Sequence, residues 1–284
     1  LVGLGGNWVA QVLRRFVMKR VLLMIVAAGA VVMVAGCKKK ADETAGGGRE
    51  REAKPATMRA ARVEEAEAVG PDTGRGLVCW WKLEEGSGTT AADSSGKGHK
   101  GTLKGGMSFE GNSTEGRVGK ALQFGGGDNY VEAEGYKGIT GTAPRTVAAW
   151  IKTRSDRGEI LAWGRDEGGG MFIFGHVEGR GRIGVTPEGG YLYMNAKTND
   201  DAWHHVAAVV REGAPPNLHD DVEVFLDGER AIIHDIGILD LWPIDTPGEL
   251  DVRIGKGFKG ALDEVRIYER ALSEEEIRML FKGQ

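Results

Sequence analysis

Hydrophobic and polar positions divide the chain into three stretches. Residues 21–36 (VLLMIVAAGAVVMVAG) form an uncharged apolar run, and 38–75 almost lack large apolar side chains. From Gly76 onward, short apolar runs alternate with turn residues. That rhythm predicts strands at 77–83, 121–124, 130–133, 145–152, 159–163, 171–177, 203–210, 222–226, 250–254 and 261–268. The segment 203–210 (WHHVAAVV) is almost wholly apolar, as expected of a strand covered on both faces. Asp227-Gly228 predicts a tight hairpin turn into a strand at 231–234. Ser273 to Glu276 reads as a capping box, with Ile277, Leu280 and Phe281 as an apolar stripe behind it, so one short C-terminal helix is expected. About a dozen strands in roughly 200 residues predict a single all-β, antiparallel two-sheet sandwich.

Composition narrows the class without naming it. The 46 glycines among 284 residues are more than twice the usual share of about 7%. No G-x-y period accompanies them, which excludes collagen, and glycine at this level disfavours a helix bundle. Ordinary apolar content, 41%, excludes a wholly disordered chain.

The apolar run follows Met18-Lys19-Arg20, so residues 18–36 have the layout of a secretory signal. Val34-Ala35-Gly36 before Cys37 resembles a bacterial lipobox, which implies a lipoprotein signal peptide and lipidation of Cys37. A plain transmembrane anchor is the other reading, although the run is slightly shorter than the ~20 residues that span a bilayer. Residues 1–17 are expected to be an extension from a start site assigned too far upstream. Lys38 in place of Asp after the cysteine favours the outer over the inner membrane, by the sorting rule of enteric bacteria. Residues 37–75 are expected to be a flexible tether, because they bury too little surface to offset chain entropy.

Charge separates along the chain. From Gly76 onward there are 24 Lys and Arg against 33 Asp and Glu, a net of about −9 in a chain whose total is −4. An acidic domain is a poor partner for nucleic acid. Cys79, alone in an apolar strand pattern, reads as a buried free thiol.

Several segments then point to a family. Residues 76–101 (GLVCWWKLEEGSGTTAADSSGKGHKG), 118–131 (VGKALQFGGGDNYV), 146–152 (TVAAWIK), 203–209 (WHHVAAV), 224–228 (VFLDG) and 260–277 (GALDEVRIYERALSEEEI) appear in family order. Together they resemble the LamG-like, concanavalin A-like lectin-glucanase jelly-roll domain, over Gly76 to the end. The resemblance implies two antiparallel sheets, one of them concave. Residues 235–249 fit poorly and are expected to form a longer surface loop.

Asp263 is the most informative single residue. Period two places it on the face of Val265 and Ile267, where a carboxylate is costly unless hydrogen-bonded, paired or bound to a cation. Asp93 sits in the loop DSSGKG, where Gly96 and Gly98 would let carbonyls turn inward, and Asp128 is a weaker third carboxylate. The resemblance implies that the Asp93 and Asp263 segments meet at the sheet edge and hold a structural Ca²⁺. The alternative is that Asp263 caps a loop through backbone N–H groups.

Catalysis lacks its signatures. Glu249-Leu250-Asp251 is the nearest match to an E-x-D-x-(x)-E strand, and its third acid is missing. No nucleophile elbow, zinc motif or phosphate loop is present. His204 and His205 are adjacent in a strand, so they face opposite ways and cannot chelate one ion. Trp80, Trp81, Trp150 and Trp203 lie within strand patterns and read as core. Trp163, Trp242, Tyr191 and Tyr193 are the candidates for stacking on a sugar ring. The expected function is a lipid-anchored, non-catalytic envelope module that recognises a glycan through its concave sheet or rim loops. A protein–protein or structural envelope component with no sugar ligand is the alternative.

Overall fold

Glycine turns and apolar runs do build strands, and the computed structural model describes them over residues 72–187, 189–237 and 243–283. The leader 18–36, Cys37, the tether through residue 71 and Trp242 lie outside the described residues. In chain order the strands are β1 (Leu77–Trp81), β2 (Thr90–Ala91), β3 (Gly101–Lys104), β4 (Ser113–Glu115), β5 (Lys120–Gly125) and β6 (Tyr130–Ala133). Then come β7 (Arg145–Thr153), β8 (Gly158–Gly164), β9 (Met171–His176), β10 (Ile183–Thr186), β11 (Leu192–Met194) and β12 (Trp203–Val210). β13 (Val222–Leu226), β14 (Glu229–Arg230), β15 (Ile233–Ile236), β16 (Leu250–Ile254) and β17 (Lys259–Tyr268) complete the series. The helices are a single turn, α1 (Phe109–Asn112), and the C-terminal α2 (Glu274–Lys282).

The strands form two antiparallel sheets. The first runs β14-β13-β12-β7-β17-β5-β4, with β1 also paired to β17. The second runs β15-β11-β10-β9-β8-β16-β6-β3-β2. Inward side chains such as Leu122, Ile151, Val206 and Leu262 from the first sheet meet Leu161, Phe172, Phe174 and Ile254 from the second in one core. This is the jelly-roll sandwich with one short C-terminal helix.

Two local expectations are corrected. Asp227 and Gly228 do turn the chain with positive φ, 51° and 83°. The hairpin partner, however, is the two-residue β14, and the next strand crosses to the second sheet to pair with β11. The face of Asp263 is also reversed. β17 carries a bulge between Asp263 and Arg266, with Glu264 at φ 54°. The extra residue shifts the phase: Leu262, Val265 and Ile267 all enter the core, while Asp263 sits opposite Trp150 on the outer face.

The outer face of the first sheet is half covered. Ser273 caps α2, its side chain accepting from the Glu276 N–H while the Glu276 carboxylate accepts from the Ser273 N–H. The helix lays Ile277 and Leu280 on Ala148, Ala207, Val209, Phe225 and Tyr268. Each buried aliphatic of this kind contributes roughly 1.5–3 kcal/mol. β12 is therefore apolar on both faces where the helix lies over it.

Candidate binding groove

Beyond the end of α2 the outer face stays open. One cross-strand row there runs Gln123 on β5, Ala261 on β17, Lys152 on β7 and Trp203 on β12, each the direct partner of the next. Ala261 is too small to fill its place, and the row floors a groove of about 920 Å³. Trp203 is only half-buried, unlike the core position that its strand pattern suggests. The walls are residues 114–117 on one side and 153–155 with Asp201 on the other. An indole beside amide, ammonium and hydroxyl groups is the chemistry that recognises a polyhydroxylated ring.

The next row along the same face runs Asp263, Trp150, His205 and is buried. It separates the groove from the helix. The Phe281 ring of α2 stacks on Trp150 at 5.5 Å, and the Arg117 guanidinium lies over the same indole at 4.7 Å. His205 packs edge-on against Trp150, and neither of its ring nitrogens has a partner. Burial, followed by the charge of Arg266, pushes its pKa down to about 3, so it is neutral.

Asp263 anchors the wall that carries Arg117. Its Oδ2 accepts the backbone N–H groups of Arg117 at 2.8 Å and Val118 at 2.9 Å, while Oδ1 has no partner. Burial pushes its pKa up to about 7, against the N–H bond from Val118, with Glu264 adding to the rise. Gly116 makes the approach feasible, since a Cβ there would lie 2.7 Å from the Lys120 carbonyl and 2.8 Å from Asp263 Oδ2.

Asp93 is saturated elsewhere. Its carboxylate accepts the N–H groups of Trp80, Ser95 and His99 and the Ser95 hydroxyl, at 2.8–3.0 Å. Burial opposes its ionisation, but these bonds hold its pKa below the usual carboxylate range. Asp93 and Asp263 thus share no partner, and each faces N–H donors. Among the described residues no group of three or more His, Cys, Asp or Glu is arranged to hold a metal. Calcium wants six to eight oxygens, and this donor set does not match that need. The loop-capping arrangement is the one present at both carboxylates.

The aromatic candidates are mostly corrected. Trp163 is fully buried against Phe172 and donates from Nε1 to the Ile139 carbonyl at 3.0 Å. Tyr193 is 1% exposed, beneath Tyr191 and His234, so it offers no free ring face. Tyr191 is half-buried and stacks on Tyr193, both hydroxyls reaching Asp235. Tyr193 stands on β11 of the second sheet and Tyr191 just before that strand, and neither lines the groove. The near-match acids are engaged as well: Asp251 pairs with Lys137 at 2.7 Å and Glu249 with Arg165 at 3.5 Å. Cys79 is a buried free thiol, as its strand pattern implies.

Comparison with known proteins bears on the fold. Domain 4 of AbnA, an extracellular GH43 arabinanase from Geobacillus stearothermophilus, solved with arabinotriose, superposes with a TM-score of 0.53 at 19% identity. The match covers 72% of this chain and 97% of that domain. The binding domain of the Paraclostridial Mosquitocidal Protein 1 superposes with a TM-score of 0.50 at 17% identity, over 75% of this chain and about half, 53%, of that one. No curated protein matches the chain. A family model, Laminin_G_3, matches residues 125–278, more than half the chain, in the groove-bearing sandwich. The chain belongs to the concanavalin A-like lectin/glucanases superfamily.

Proposed function

We propose that this protein is a non-catalytic glycan-binding module, displayed on the cell envelope from a lipid anchor at Cys37. The observation that carries the reading is the half-exposed Trp203 beside Lys152, Ala261 and Gln123 in an open groove on the outer face of a sheet. The groove is open rather than a closed pocket, which suits a chain of sugars. The arabinotriose complex of the similar Geobacillus domain supports a sugar ligand for this fold.

A hydrolytic role has less support. Glycoside hydrolysis needs one carboxyl that keeps its proton and a second carboxylate across the bond. Of the groove carboxylates Glu115 and Asp201, the latter is tied to Arg154 at 2.7 Å. The test is a glycan array probed with the full chain and with Trp203→Ala. Retention of a defined set of glycans, lost at least about tenfold in the variant, is expected for stacking on an indole. Retention of no glycan, or equal retention by the variant, overturns the reading. Palmitate-analogue labelling that is abolished in Cys37→Ser tests the anchor.

A further inference from the structure

The groove is positive inside an acidic domain. Four cations line it, Arg117, Lys152, Arg154 and Lys259, against Glu115 and Asp201. One cation is neutralised, because Arg154 pairs with Asp201. Among the described residues the other three make no ion pair: Lys152 stands on the floor, Lys259 is exposed at the rim, and Arg117 lies over Trp150. Elsewhere in this domain, whose net charge is about −9, many cations are held in ion pairs, as with Arg253–Glu159, Arg266–Glu264 and Arg270–Glu276. These three cations converge on one groove, whose floor carries the Trp203 indole and whose buried neighbouring row carries Trp150.

Resting on the glycan reading above, we infer that the groove selects an anionic glycan, one carrying a carboxylate or sulfate on its sugars, over a neutral one. The indole of Trp203 supplies the ring face, and Lys152 and Lys259 supply the charge contacts. Arg117 contributes a third charge, and its planar guanidinium presents two parallel N–H donors that match a carboxylate or a pair of sulfate oxygens. The domain's overall negative charge works against a densely charged polyanion, while a polysaccharide with one charge per sugar places its anions near the groove and its neutral edges against the remaining surface.

Affinity electrophoresis of the full chain tests this, with gels containing polygalacturonate, a lightly sulfated dextran, or neutral arabinan. Retardation by polygalacturonate or the lightly sulfated dextran, and at least about tenfold weaker retardation by arabinan, is expected. The two anionic arms tell carboxylate from sulfate. Binding is expected to weaken at least about tenfold in Lys152→Gln/Lys259→Gln and to fall as salt rises past the Debye-screening range. Both lysines are outside the core, and an unchanged thermal midpoint checks that the variant is folded. Equal retardation by arabinan, with no loss in the double variant, would overturn the anionic preference and leave the glycan reading standing. No retardation in any gel removes both. Equal competition by polyglutamate or duplex DNA shows a general polyanion surface and overturns the inference.

Discussion

Asp263 holds Arg117 in place by its backbone: Oδ2 accepts the Arg117 N–H at 2.8 Å and the neighbouring Val118 N–H at 2.9 Å. The bulge at Glu264 turns this carboxylate out of the core phase and toward the loop. One buried acid thereby connects the strand bearing the groove floor to the wall bearing a groove cation.

That acid is expected to make stability fall with rising pH. Its folded pKa is raised to about 7 from the ordinary aspartate value of 3.8. Between these values the folded state keeps a proton that the unfolded state has lost, so folding loses stability as pH climbs toward 7 and changes little above it. Asp263→Asn keeps an acceptor for the two N–H groups and removes the titration. Urea midpoints from pH 4 to 8 are expected to show a wild-type decline of up to a few kcal/mol relative to the Asn variant. Parallel profiles for the two proteins would sink the assignment. Asp263→Ala removes the acceptor as well and is expected to destabilise by ~1–3 kcal/mol.

The two tryptophans Trp163 and Trp203 are expected to separate folding from binding. Trp163 is fully buried and hydrogen-bonded, so Trp163→Ala should cost about 3–5 kcal/mol. Trp203 is half-exposed over the groove, and Trp203→Ala should cost far less stability while removing retention of the glycan. Denaturant midpoints and array signals, measured on the same preparations, check the split. A Trp203→Ala protein that loses as much stability as Trp163→Ala would show Trp203 to be core.

Much of the sandwich was legible in the sequence, because strands buried on one or both faces write their period into it. Residues 130–133, 203–210, 222–226 and 250–254 are strands with the expected bounds. Short edge strands such as β2 and β4 were not, since two or three residues carry no readable period. The bulge at Glu264 was invisible for a different reason: nothing in the spacing of LDEVRIY distinguishes a regular strand from one with an inserted residue. Trp203 was missed through length. A nine-residue helix rises about 13.5 Å, whereas an eight-residue strand runs about 27 Å, so α2 covers only part of β12. The outer residue at the far end, Trp203, is the one left open. Comparing those two lengths is the signal that would have found it.

Calcium is expected to leave the fold unmoved. Asp93 already accepts four hydrogen bonds and Asp263 accepts two, from donors that a cation would have to displace. Thermal midpoints in EDTA and in millimolar Ca²⁺ should agree within about 1 °C. A site filled at about a hundred times its dissociation constant would instead raise the midpoint by roughly 5–10 °C in a domain of this size. A rise of that order would restore the shared calcium expected from the sequence.

Arg145 is expected to be irreplaceable by lysine. Its guanidinium is fully buried on β7 and donates to the carbonyls of Ile139, Gly141 and Ala143 and to the Thr246 hydroxyl, at 2.6–3.0 Å. Burial pushes its pKa down to about 10, with Asp245 opposing, so it stays charged at neutral pH. An ammonium has three donors in a different geometry, and its desolvation is harder to offset. Arg145→Lys should destabilise by about 2–4 kcal/mol in urea titration. A loss below ~1 kcal/mol would mean that water replaces the fork without cost.

Phe281 is expected to keep His205 neutral by covering it. The ring stacks on Trp150 at 5.5 Å and lies 6.3 Å from the His205 ring, closing the buried row from the helix side. With a folded pKa of about 3 against the ordinary histidine value of 6.5, His205 makes the wild type lose stability as pH falls through that interval, because the unfolded state takes up a proton that the folded state refuses. Phe281→Ala opens a path for water and should bring the pKa back toward the ordinary range. The His205 C2–H resonance is then expected to be flat from pH 5 to 8 in the wild type and to titrate in the variant. Half-buried, Phe281 should itself contribute about 1–2 kcal/mol at pH 8, with the gap between the two proteins narrowing as pH falls. A titrating wild-type resonance would show that the row is already wet, and the helix would then have no part in setting that charge.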